Sequence, residues 1–208
     1  MPNATKIMVI RHAEKPGKYP ADGPELMYWG VNEAGDVAGQ AGAEHLTTLG
    51  WERAGALVPL FAPPWGPKPG LARPDHLFAS DPGPPSAADS GKNGPSQRPY
   101  ETLTALSAKL SLTIHQGHKK NEYPEMVANA LGRSGAVLIA WQHEDIQAIC
   151  LEVLKQTNTP ADKFNPPGWP DHRYDLVYIL ERPSGEGPIA RFTIVAQQLL
   201  AHDSPTVP

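Results

Sequence analysis

At 208 residues the chain is of single-domain size, and its 40% apolar content is enough for one continuous core. A formal charge of −4 and a pI near 6.0 argue against nucleic acid or an anionic membrane surface as partner, so any anion site must be built locally. The single cysteine, Cys150, excludes an internal disulfide framework and a multi-thiolate metal centre.

The start, MPNATKIMVI, lacks the pattern of a secretory leader, and no later run has the length of a membrane span. A cytoplasmic protein is the expectation. Residues 6–10 (KIMVI) form a short apolar run typical of an interior strand covered on both faces. The run breaks at once into Arg11, His12 and Glu14 (RHAEKP). Residues 17–45, with glycine, proline and no sustained period, read as loop with at most a short helix. In LTTLGWERAGALVPLF, Thr47 or Thr48 caps a helix running to about Phe61, which APPWGPKPG terminates.

PDHLFAS reads as a second strand. The stretch 81–97 is too rich in proline and glycine for helix or central strand, and is taken as a loop insertion in a single domain spanning 1–208. In RPYETLTALSAKLSL, Leu103, Leu106 and Leu110 recur at helical spacing, with Pro99 in the first turn. LTIH supplies a third strand, EYPEMVANALGR a helix stopped near Gly132, AVLIAWQ a strand and EDIQAICLEVLKQ a helix. DLVYILER and ARFTIVAQQL, joined by PSGEGP, predict a hairpin. The tail 202–208 (HDSPTVP) is expected to be disordered.

Strands alternating with helices predict a three-layer α/β/α sandwich with a mainly parallel central sheet and a C-terminal antiparallel edge hairpin. Sites in such sheets form at the carboxyl ends of the strands. That end would gather Arg11 and His12, then Ser80 and Asp81, then His143, Glu144 and Asp145. A neutral imidazole is a good nucleophile toward phosphorus, and arginine forks match phosphoryl oxygens in pairs. Arg11, His12, Arg98 and His143 would suffice to bind and accept a phosphoryl group, with a general acid still needed for the leaving alcohol.

VIRHAEK resembles the signature of the histidine phosphatase superfamily, the phosphoglycerate mutase-like fold. LTTLGWERA, FASDP followed by RPYETLTAL, and VLIAWQHEDI are similar to three further segments of that family, in the same order, over about residues 6–150. The resemblance implies that His12 is the phosphorylated nucleophile, Arg11 and Arg98 are phosphate clamps, and His143 completes the pocket. It implies Glu122 or Glu144 as the acid, with Asp145 beside the latter, and leaves the choice open. The insertion 81–97 departs from the usual near-contiguous pattern and is either a flap or a tolerated addition.

The expected activity is a metal-independent phosphomonoesterase acting on a phosphorylated small molecule or phosphoprotein, with no cofactor. A mutase is less favoured, because extra basic contacts for a phosphorylated sugar acid are not identifiable. The alternative is a phosphate-ligand binding or regulatory module with the same pocket and little turnover. Glu14 either orients Arg11 or the imidazolium, or is a solvated loop acid. His115, His118, Lys119 and Lys120 read as a solvated basic loop, and without a third ligand the two histidines predict no metal site. Cys150 reads as an inert buried thiol, and Trp51, Trp65, Trp141 and Trp169 as packing residues. The sequence sets no oligomeric state.

Overall fold

The apolar run before Arg11 alternates between two cores. Ile7 and Val9 pack into one hydrophobic cluster, Met8 and Ile10 into the other, which is why the run reads as continuously apolar rather than alternating. This computed structural model describes residues 3–18, 27–35, 44–83 and 96–208. In chain order its elements are β1 (Ala4–Arg11), β2 (Gly17–Lys18), β3 (Met27–Tyr28), α1 (Thr48–Phe61), β4 (His76–Ala79) and α2 (Arg98–Leu110). There follow β5 (Ile114–His115), α3 (Tyr123–Leu131), β6 (Gly135–Trp141), α4 (His143–Gln156), β7 (Leu176–Glu181) and β8 (Arg191–Ala196).

Six strands form one sheet in the order β5-β4-β6-β1-β7-β8. The first four are mutually parallel, β7 runs antiparallel to β1, and β8 pairs antiparallel with β7 at the edge. Side chains of α3 and α4, including Met126, Val127, Ile149 and Val153, cover one face. Leu57, Leu60 and Phe61 of α1 with Leu103 and Leu106 of α2 cover the other. The three-layer sandwich with its antiparallel C-terminal hairpin is therefore the observed architecture. Residues 17–18 and 27–28, read as loop, instead pair as a two-strand ribbon.

Local chemistry sets the helix ends. Thr47 caps α1, its Oγ1 accepting from Gly50 N at 3.1 Å. Pro99 occupies the first turn of α2, and Ser111 closes that helix in the left-handed region at φ 55°. Gly132 ends α3. Glu144 and Asp145 lie in the first turn of α4, where the helix dipole favours negative charge.

The loop 81–97 lies largely outside the described residues. The tail 202–208, expected to be disordered, is instead docked. Asp203 pairs with Arg53, Ser204 N donates to Asp175 Oδ2 at 3.0 Å, and Arg173 donates to the carbonyls of Ser204 and Thr206. The sequence pattern missed this because the anchors are polar contacts, most of them to distant elements. No helix among the described residues is long and apolar enough to cross a membrane.

Candidate active site

The parallel strands end together. Arg11 at the end of β1 stands opposite Trp141 at the end of β6, and the pairing extends one residue, His12 N donating to Trp141 O at 3.0 Å. Ala79 of β4 stands opposite Ala140, and the next residue, Ser80, accepts from Gln142 Nε2 at 2.9 Å. That bond turns the Gln142 side chain toward the neighbouring strand, just before His143 opens α4.

His12 is 2% exposed. Its Nδ1 lies 2.7 Å from the Ala13 carbonyl, which can only accept, so Nδ1 carries the proton and Nε2 keeps its lone pair. Burial, then the charges of Arg98 and Arg11, hold the imidazole well below its ordinary protonation range. The segment is fixed from α2 as well: Ala13 N donates to Thr102 Oγ1 at 2.8 Å, and that hydroxyl donates to Arg98 O at 2.7 Å. The Arg98-to-Thr102 spacing thus places the arginine and braces the histidine loop with one helical turn.

Arg11 is 1% exposed. Its Nη1 donates to the carbonyls of Asp171 and, at 3.0 Å, Arg173, while Nη2 donates to the Tyr174 hydroxyl at 3.2 Å. The guanidinium also stacks on the Tyr174 ring, 3.9 Å from its centroid. Its Nε is buried without a hydrogen-bond partner, leaving a donor for a ligand. Lys15 joins the same field; burial first, then Arg11 and Arg98, lower its proton affinity.

His143 Nε2 lies 3.3 Å from Asp171 Oδ1, and Nδ1 lies 2.8 Å from Glu144 Oε2 without the alignment of a hydrogen bond. Lys120 Nζ donates to Glu144 Oε1 at 2.6 Å. The nearby His143, then Lys120, hold the Glu144 carboxyl well below the usual carboxylate range, against the opposing effect of burial. Burial pushes Asp145 the other way, and its Oδ2 is enclosed without a hydrogen bond, 3.9 Å from Lys120 Nζ. Glu122 is turned to its own backbone, accepting from Lys119 N at 2.9 Å across the short 3-10 turn Lys120–Glu122.

Arg11, His12, Arg98, His143 and Glu144 are thus linked at one end of the sheet, and Glu122 is spent on local capping. The cluster can hold an anion against cationic donors and offer it an unprotonated nitrogen. Sequence reasoning missed Lys15, Tyr174 and Asp171. Lys15 had a signal, lying three residues past His12; Tyr174 and Asp171 come from a loop about 160 residues away and had none. Glu14 is neither solvated nor aimed at Arg11: it is 2% exposed and pairs with Arg53, Nη2 to Oε1 at 2.7 Å.

Lys120, read as part of a solvated basic loop, is half-exposed and pairs with Glu144. Trp141 is fully buried, its indole donating to Lys120 O at 3.3 Å, whereas Trp65 is 86% exposed and not a packing residue. Cys150 is buried, and burial pushes its thiol up, so no thiolate forms near neutrality. Among the described residues no three His, Cys, Asp or Glu side chains are grouped to hold a metal ion.

No protein-family model matches the chain, and no curated protein matches it in sequence.

Proposed function

We propose that the chain is a metal-independent phosphomonoesterase of the histidine phosphatase superfamily, acting through a phosphohistidine on His12. One observation carries the reading: a buried imidazole whose Nδ1 is committed to a backbone carbonyl, with a free Nε2 and two arginines in its field. Nε2 attacks phosphorus, the P–O bond to the leaving group breaks, and Arg11, Arg98 and His143 balance the charge on the phosphoryl oxygens. Water then attacks phosphorus and gives a proton to the carboxylate left by the first step, the P–N bond breaks, and its electron pair returns to Nε2. Glu144 or Asp145, adjacent in the first turn of α4, supplies the proton to the leaving oxygen. Substrates are phosphorylated small molecules or phosphoproteins in the cytoplasm.

A second reading, a phosphate-binding or regulatory module with little turnover, is favoured by the ionised state of Glu144. An activated aryl phosphate separates the two, because its leaving group needs little help from an acid. The native protein should hydrolyse p-nitrophenyl phosphate with chelator present, and His12→Ala should lose that turnover. Intact mass after a non-acidic quench should show a transient phosphoryl adduct on the native chain only. Absent turnover and adduct from folded protein would sink the phosphatase reading in favour of the binding module.

A further inference from the structure

The loop before β7 lies against the candidate site and is held there by its main chain. Gln147 Nε2 donates to Pro166 O at 2.9 Å, Trp169 Nε1 donates to Arg173 O at 2.8 Å, and Arg173 N donates to Pro170 O at 3.0 Å. Trp169 is 6% exposed and its ring lies 4.9 Å from that of Tyr178. Arg11 adds to the anchoring, through the carbonyls of Asp171 and Arg173 and the Tyr174 hydroxyl. The backbone of this strap is therefore fixed by contacts that do not involve the Asp171 side chain.

The Asp171 side chain is differently placed. It is 94% exposed, yet Oδ1 lies 3.3 Å from His143 Nε2, close enough for an ion pair without the alignment of a hydrogen bond, while the carbonyl of the same residue accepts from Arg11. One residue thus meets two of the four groups assigned to phosphate binding. On the proposed reading, a phosphoryl group seated among Arg11, His12, Arg98 and His143 takes the His143 Nε2 position for one of its oxygens. A carboxylate oxygen and a phosphoryl oxygen are alike in charge and in accepting hydrogen bonds, so the two compete for that nitrogen.

We infer that the Asp171 carboxylate is a built-in anionic competitor on His143, displaced when phosphate binds, and that it sets the anion affinity of the site. The inference rests on the phosphate-binding reading of this pocket. Displacement moves only an exposed side chain, because Arg11 and Trp169 keep the backbone in place. An exposed pair of this kind is weak and screened by salt, so the competition tunes affinity without blocking the site.

The test is calorimetric titration of inorganic phosphate into the full chain, Asp171→Ala and Asp171→Asn at matched ionic strength. Both variants should bind phosphate more tightly than the native protein, by about two- to fivefold. The gain should shrink as salt is raised, which a purely structural effect would not do. A gain in affinity cannot come from misfolding. Equal or weaker binding by both variants, with native-like unfolding curves, overturns the competitor and leaves the pocket standing. Phosphate bound by none of the three proteins overturns the pocket and the competitor together.

Discussion

At His12 one carbonyl fixes the tautomer, and burial with two cations favours the neutral ring. The same environment leaves a mark on stability. An unfolded chain takes up a proton on this histidine through about pH 6.5, whereas the folded chain resists it until well below that. The unfolded state therefore binds more protons as pH falls below about 6.5, and the folded state loses stability over that range. Melting temperatures between about pH 7.5 and 5.5 should fall more steeply for the native protein than for His12→Gln; equal slopes would contradict the shift. RHAEKP marked out Arg11 and His12, since adjacent positions share a strand end. It did not reveal the pairing of Glu14, whose partner Arg53 lies on another element.

Between elements, α1 approaches the loop after β1 closely. Gly50 sits where a Cβ would fall 2.6 Å from the Glu14 carbonyl oxygen, so only glycine lets the two backbones come this close. Gly50→Ala should cost about 1–3 kcal/mol of unfolding free energy by denaturant titration, because the obstacle is backbone that cannot rotate away. Gly55, in the same helix, is exposed, and a Cβ there would meet nothing within 4 Å. Gly55→Ala should stabilise by about 0.5–1 kcal/mol through helix propensity alone. Like effects at the two positions would refute the close approach. The helices themselves were readable from capping residues and apolar spacing, as the cap at Thr47 and the stop at Gly132 bear out. The two-residue ribbon of β2 and β3 was not, being too short to carry a period.

Across the molecule, Arg53 joins the N-terminal and C-terminal parts of the chain. It is 1% exposed and bridges Glu14 to Asp203, Nη2 to Oδ1 at 2.6 Å, with Gln197 Oε1 3.2 Å from Nη1. Removing one member of a buried ionic group leaves the others uncompensated, which typically costs about 3–5 kcal/mol. Arg53→Met should destabilise by that order in equilibrium unfolding, and a loss under about 1 kcal/mol would show that the cluster is not a structural tie. The sequence by itself determined the layers, the strand that ends in Arg11 and His12, and most helix limits, because these follow from apolar period, caps and turn residues that act over a few positions. Only the tertiary structure decided that Glu14 pairs with Arg53, that the tail is docked through Asp203, that Lys120 holds Glu144, and that Asp171 lies against His143. Each of these is a polar pairing between residues from 24 to 150 positions apart, and such a pairing leaves no periodic trace in the chain.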